Sequence, residues 1–144
     1  MECPMKKDEN CVFCKIVDGI IPCFKVYEDD KILAFMDINP LNPGHTLVIP
    51  KEHSGTIFDI STEDYGLMSI VAARIAVAIR KTLKPDGINI MQLNGKAANQ
   101  VVSHVHMHVT PRWFGDSLPI SAWEPVPGNM EMIKENARLI AEQL

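Results

Sequence analysis

From His104 to Thr110 the chain alternates strictly, with His104, His106 and His108 separated by Val105, Met107 and Val109. A period of two predicts a β-strand, because successive side chains on an extended backbone point to opposite faces. The three apolar residues then face a core, and the three imidazoles form a row spaced about 6–7 Å apart. Pro111 is expected to end the ladder, since it has no amide to donate. Upstream, Phe24 to Tyr27 and Lys31 to Asp37 read as strands around a Glu28-Asp29-Asp30 turn, an antiparallel hairpin. A loop punctuated by Pro40, Pro43 and Gly44 leads into a nearly all-apolar strand, His45 to Pro50. Ser61 is a candidate helix N-cap, with Asp64 completing a capping box. Leu67, Val71, Ile75 and Ile79, flanked by Met68, Ala72 and Ala78, then make one apolar stripe at helical period, stopped by Pro85 and Gly87. Ile88 to Leu93 is the fourth strand, and the His row supplies the fifth. Trp113 to Asn129, including Trp123, reads as irregular, after which Asn129 caps a last helix, Met130 to Gln143. Strands predominantly antiparallel with one long helix predict an α+β fold.

Composition narrows the function rather than the fold. With 144 residues the chain reads as a single domain over 1–144, able to bury roughly two-thirds of its unfolded surface. Its net charge is −4 and no Lys/Arg block stands out, so no nucleic-acid partner is expected. No apolar run has the length of a membrane span, and the charged N-terminus does not read as a signal peptide. A cytoplasmic location is therefore expected. In a reducing compartment the four cysteines are better read as metal ligands or buried thiols than as disulfides.

Two stretches carry chemistry. Residues 1–10 are polar and read as a loose N-terminal arm; Cys11-Val12-Phe13-Cys14 follows it. A Cys-x-x-Cys pair is half of a zinc site or a redox couple. Gly19 and Pro22 stop any following helix after about one turn, which favours metal over redox; two buried thiols without metal remain the alternative. Asn94 to Ser103, glycine and small polar residues, suits a loop that offers backbone N–H groups to an anion. Beside a row of imidazoles it points to phosphoryl chemistry. A surface strand rich in His, or an adventitious metal site, is the plainer reading of the same residues.

The stretch His104-Val105-His106-Met107-His108-Val109-Thr110 resembles the His-φ-His-φ-His-φ-φ signature of the histidine-triad (HIT) superfamily, with Thr110 departing at the last apolar position. Phe13 to Ile16, Ala34 to Pro40, Gly44 to Lys51 and Asn94-Gly95 are similar to its Hint-type branch. The resemblance spans roughly 11–115, leaving 116–144 as a C-terminal extension. It implies a five-stranded antiparallel sheet with one long and one short helix, and a homodimer whose sheets join into ten strands. The implied activity is nucleotidyl hydrolase or transferase chemistry at the α-phosphate of purine nucleoside phosphoramidates or related conjugates, such as those of AMP. A dinucleoside polyphosphate hydrolase of Fhit type is the alternative, since Val109-Thr110-Pro111-Arg112 also suits that branch. A zinc-stabilised nucleotide-binding module with incidental hydrolysis is another.

The resemblance also implies roles. His106 is the nucleophile that forms a covalent nucleotidyl-histidine, with its tautomer set by a backbone carbonyl. His108 donates to a non-bridging phosphate oxygen, and His104 is the third catalytic member. Asn94, the backbone N–H groups near Gln100 and Val101, and Asn99 complete the phosphate cradle; Asn99 and Val101 stand where relatives carry Gly and Ser or Glu, so a hydroxyl contact is lost. Phe13, Ile16, Phe35 and Ile38 enclose the base, and Asp37 takes the ribose hydroxyls. Without the resemblance, Phe13, Ile16 and Ile38 are equally core residues and Asp37 a turn former. Cys11, Cys14, His53 and His104 form a structural zinc set of two thiolates and two imidazoles. His45 is expected near the triad as a polar neighbour.

Overall fold

The computed structural model describes residues 4–118 and 126–144. The elements in chain order are α1 (Val12–Val17), β1 (Lys25–Glu28), β2 (Ile32–Met36), β3 (Thr46–Pro50), α2 (Thr62–Leu83), β4 (Gly87–Gln92), a short 3-10 turn (Lys96–Ala98), β5 (Met107–Arg112) and α3 (Met130–Ala141). One antiparallel sheet runs in the order β1-β2-β3-β5-β4. This is the α+β architecture expected, with five strands and three helices. Trp123 lies outside the described residues.

Alternation along the central strands sorts the core into two layers. Ile32, Ala34, Val48, Val105, Met107 and Val109 pack on α2, whereas Leu33, Phe35, Leu47 and Ile49 face Cys11, Phe13 and Cys14 on the opposite side. A strand buried on both faces needs a continuous apolar run, which Leu47 to Pro50 supplies. The Ser61 hydroxyl caps α2 by accepting from the Asp64 amide at 3.1 Å. The return half of the box is absent: Asp64 Oδ1 is buried without a partner. The buried stripe is Met68, Val71, Ala72, Ile75 and Ile79, while Leu67 is half-buried and Ala78 exposed. The stripe is thus rotated toward Met68 and Ala72 from the expected one. Lys84, in the left-handed region ahead of Pro85, ends the helix. α3, capped by the Asn129 side chain, buries none of its residues among those described.

Two expectations about the fifth strand are corrected. The ladder begins at Met107 rather than His104. The carbonyls that would continue it are taken by ring nitrogens: Pro50 O accepts from His104 Nε2 at 2.8 Å, and His104 O from His106 Nδ1 at 2.6 Å. Pro111 does not end the strand but pairs with Ile88 inside it. The Arg112 carbonyl points toward the β4 side, accepting from the Asp86 amide, so Pro111 turns its amide-less nitrogen to the β3 side. Pairing with β3 has already stopped there at Val109, and no hydrogen bond is forfeited. The arm is also less loose than expected, because Lys6 O accepts from the His53 amide at 2.7 Å and Asp8 O from the Cys11 amide at 3.0 Å.

Candidate active site and metal centre

His106 and His108 stand on one wall of a cleft of about 420 Å³, with ring centroids 4.8 Å apart. The floor and far wall are apolar, from Phe13, Ile16, Phe35 and Leu47, while Asp37 and Asn39 mark the polar end. Phe13 is both core and wall: it is buried, meets Phe35 edge-on at 5.5 Å and meets His106 edge-on at 5.1 Å. Ile38 is exposed on the rim. Asp37 forms the expected turn and also faces His45. Its Oδ1 accepts from the Asn39 amide at 2.8 Å in an Asx turn, and its Oδ2 lies 3.6 Å from His45 Nδ1.

Hydrogen bonds fix the tautomers of the ring row. His106 Nδ1 donates to the His104 carbonyl, so its lone pair resides on Nε2. Burial depresses the His106 pKa below the ordinary value, opposed by that bond and by Asp37; the ring is neutral near pH 7. The Leu41 amide can only donate, and it bonds His45 Nδ1 at 3.1 Å. The His45 proton therefore sits on Nε2 and is donated to His108 Nδ1 at 2.9 Å. His108 in turn carries its own proton on Nε2, as a neutral donor. Burial, then His106 and His45, push the His108 pKa down to about 4. His45 thus has a definite place, orienting His108 from behind.

The phosphate-loop residues are arranged differently from the expectation. Gln100 closes the loop on itself: Oε1 accepts from the Gly95 amide at 2.7 Å and Nε2 donates to Gly55 O and Val102 O. The Asn94 amide pairs with that of Gln92, and its Oδ1 accepts from the Ile57 amide at 2.7 Å. Asn99 adopts the left-handed conformation at the end of the 3-10 turn. None of the three lines the cleft; Val101 does, nearly fully exposed. Cys23, Ile21, Pro22 and Val102 also line it. They were not among the expected site residues.

Behind the row lies a second cluster. Cys11 Sγ, Cys14 Sγ, His53 Nδ1 and His104 Nδ1 lie within 4.8 Å of one another. A tetrahedral zinc site with Zn–S of about 2.3 Å and Zn–N of about 2.05 Å has S···N edges of about 3.6 Å and N···N edges of about 3.3 Å. The observed edges are 3.4 Å for Cys11–His104, 3.3 Å for Cys14–His53, 3.6 Å for Cys14–His104 and 3.2 Å for His53–His104. The outer nitrogen of His104 is held, Nε2 donating to Pro50 O, as metal-binding imidazoles require; His53 Nε2 lies 3.9 Å from Asp8 Oδ2. The Cys14 amide points at Cys11 Sγ and the Asp8 amide at Cys14 Sγ. Burial pushes the Cys14 thiol above its usual range against the Asp8 amide, which favours the thiolate. A divalent cation would supply the charge that keeps it ionised. All four expected ligands are brought together.

A HIT domain model matches residues 18–115. The chain belongs to the HIT family. A crystal structure of a HIT family protein from Bacillus subtilis superposes with a TM-score of 0.87 at 39% identity, covering 94% of this chain and 98% of that one. The adenosine 5'-monophosphoramidase of Schizosaccharomyces pombe is 36% identical over 135 residues, 94% of this chain and 98% of its own length. A zinc-bound histidine triad family protein from Mycobacterium smegmatis is 45% identical with a TM-score of 0.73, covering 85% of this chain and 86% of that one. Among the described residues of this HIT protein, no helix is long and apolar enough to cross a membrane.

Proposed function

We propose that this HIT protein hydrolyses purine nucleoside phosphoramidates, or related conjugates, at the α-phosphate through a covalent nucleotidyl-histidine. The observation that carries the reading is the tautomer of His106: Nδ1 is committed to the His104 carbonyl, leaving a basic Nε2 on a neutral ring beside the cleft. In the first step Nε2 bonds to phosphorus, the P–N bond breaks, and the amine leaves with a proton from solvent. Water then displaces the imidazole and releases the nucleoside monophosphate. His108, with its Nε2–H, donates to the non-bridging oxygens as their charge rises. The base lies among Phe13, Ile16, Phe35 and Ile38, the ribose hydroxyls on Asp37, and the phosphate against the loop that bears Val101, shaped by Asn94, Asn99 and Gln100. The resemblance of the chain to the S. pombe phosphoramidase supports this substrate class.

Zinc belongs to the same proposal as a structural ion on Cys11, Cys14, His53 and His104; bound there, it supplies charge and cross-linking, not a reaction step. A homodimer through β4 completes it. β4 is a six-residue edge strand without charge or proline, the kind of edge that proteins cover.

The deciding measurement is release of AMP from an adenosine phosphoramidate by wild type and His106→Ala, with a dinucleoside polyphosphate as the second substrate. Loss of about a thousandfold or more in kcat is expected for the variant. Equal rates would end the nucleophile assignment, and preference for the polyphosphate would move the enzyme to the other branch.

A further inference from the structure

Asn42 lies in the loop between β2 and β3, outside the cleft, yet it ties that loop to the far end of β5. Its Nδ2 donates to Pro111 O at 2.9 Å and to Asp116 Oδ2 at 2.9 Å. Asp116 is itself gripped by Arg112 in a two-pronged pair, Nε to Oδ2 and Nη2 to Oδ1, each 2.7 Å, and accepts from the Trp113 amide at 3.1 Å. Arg112 is steadied in turn through Nη1 to Asn89 Oδ1 at 2.8 Å. The Arg112 and Asp116 side chains are 14% and 9% exposed, so the network is shielded from the solvent that weakens surface pairs. Gly44, with φ of 89°, brings the loop against Pro111: a side chain there would come within 3.1 Å of the proline ring and 2.5 Å of Leu83.

What this staple holds in place is one backbone donor. Asn42 O accepts from the His45 amide at 3.1 Å, and Leu41, its neighbour, directs its N–H at His45 Nδ1. That donor decides the whole chain of protons from His45 Nε2 to His108 Nδ1. If it withdraws, His45 Nδ1 can carry a proton toward Asp37 Oδ2, 3.6 Å away. His45 Nε2 then becomes an acceptor, His108 must donate from Nδ1, and the His108 nitrogen facing the cleft is left with a lone pair. A lone pair repels a phosphate oxygen where an N–H binds it.

We propose that Asn42, anchored by Asp116, is a positioning residue that keeps His108 in its phosphate-donating tautomer by holding the Leu41 amide on His45. The inference rests on His108 being the charge-stabilising donor of the proposed reaction. The β2 side of the loop has bonds of its own, Asp37 N to His45 O at 3.0 Å and Asn39 N to Asp37 Oδ1. The effect therefore falls on the chemical step rather than on nucleoside binding.

The test reads ring tautomers directly, by two-bond proton–nitrogen correlation spectra of 15N-histidine-labelled protein without substrate, together with steady-state kinetics. In wild type His45 and His108 both carry the proton on Nε2. In Asn42→Ala a substantial Nδ1–H population is expected at both rings, kcat for the phosphoramidate falls about tenfold or more, and KM changes less than about threefold. Should Asn42→Ala fail to fold, Asp116→Ala, which keeps the Asn42 side chain but removes its anchor together with the Arg112 pair and the Trp113 bond, carries the same readouts. Ser61→Ala, which unmakes the α2 cap, controls for general loss of stability and should leave tautomers and kcat unchanged. Unchanged tautomers in a folded Asn42 or Asp116 variant overturn the inference, as does the same shift in Ser61→Ala. Shifted tautomers in a protein whose wild type releases no AMP would sink the phosphoramidase reading and leave the positioning role standing.

Discussion

His108 owes its state to what surrounds it rather than to its own chemistry. His106 and His45 face it from either side, both with values lowered by burial, and Asp37 opposes the shift without cancelling it. Its folded-state pKa lies near 4, below the ordinary 6.5. As pH falls from 6.5 the unfolded chain takes up a proton first; the stability present above 6.5 is lost progressively toward 4. An NMR titration of the ring should give a midpoint near 4, and thermal stability should decline over the same window. A midpoint at 6.5 would mean that the ring is solvated, and the neutral-donor role would go with it. At this scale the alternation of His104, His106 and His108 made the row legible in the sequence. The resemblance implied a backbone carbonyl behind His106 and a donor at His108, but which main-chain groups set each proton was not legible, because Leu41 N, Pro50 O and His104 O have no signature in a sequence. Asn42 and Asp116 stand 74 positions apart, and no local pattern connects them.

Among the elements, α1 is the most dependent on chemistry beyond itself. At six residues it is too short to persist alone; its N-cap is Cys11, and Cys14 is one of its buried residues. Zinc on the Cys/His cluster would cross-link it to the β3 exit at His53 and to the stretch before β5 at His104. Metal analysis of the purified protein should find about one zinc per chain, and Cys14→Ser should lower both zinc content and Tm, since a ligand bound only by the folded form stabilises it. Full zinc occupancy in that variant would place the ion elsewhere. The long helix was legible from its apolar period, its Ser61 cap and its Pro85 stop. The stripe was misplaced by part of a turn because Leu67, Ala72 and Ala78 are all apolar, and only packing against Ile32, Ala34, Val48, Val105, Met107 and Val109 selects among them. The start of β5 was misplaced for a different reason. Imidazole N–H groups took the carbonyls of Pro50 and His104 that a ladder would have used.

At the scale of the whole molecule, two apolar surfaces lie bare among the described residues. Among those residues, β4 leaves one edge unpaired, with Ile90 about half exposed, and α3 keeps Met130, Ile133 and Ile140 in solvent. Light scattering or equilibrium sedimentation should give twice the 16.1 kDa chain mass. A charge at Ile90, such as Ile90→Lys, should shift the population toward monomer by burdening the shared edge. A wild-type monomer at micromolar concentration would contradict the ten-stranded sheet.

Periodicity, the turn residues and the spacing of His and Cys determined the α+β class, the five strands, the long helix and the Cys11–Cys14 half of the metal set. These follow from short-range geometry, which a strand or a helix imposes on neighbouring residues whatever else the chain does. His53 and His104 were named as partners of the Cys pair only by the resemblance to the HIT family. Tertiary structure alone decided which carbonyl meets which imidazole, that Pro111 sits where no strand needs its amide, and that Asn94 and Gln100 shape the loop rather than line the cleft. Those outcomes depend on groups brought together from distant parts of the chain, where orientation to a fraction of an ångström separates a donor from an acceptor.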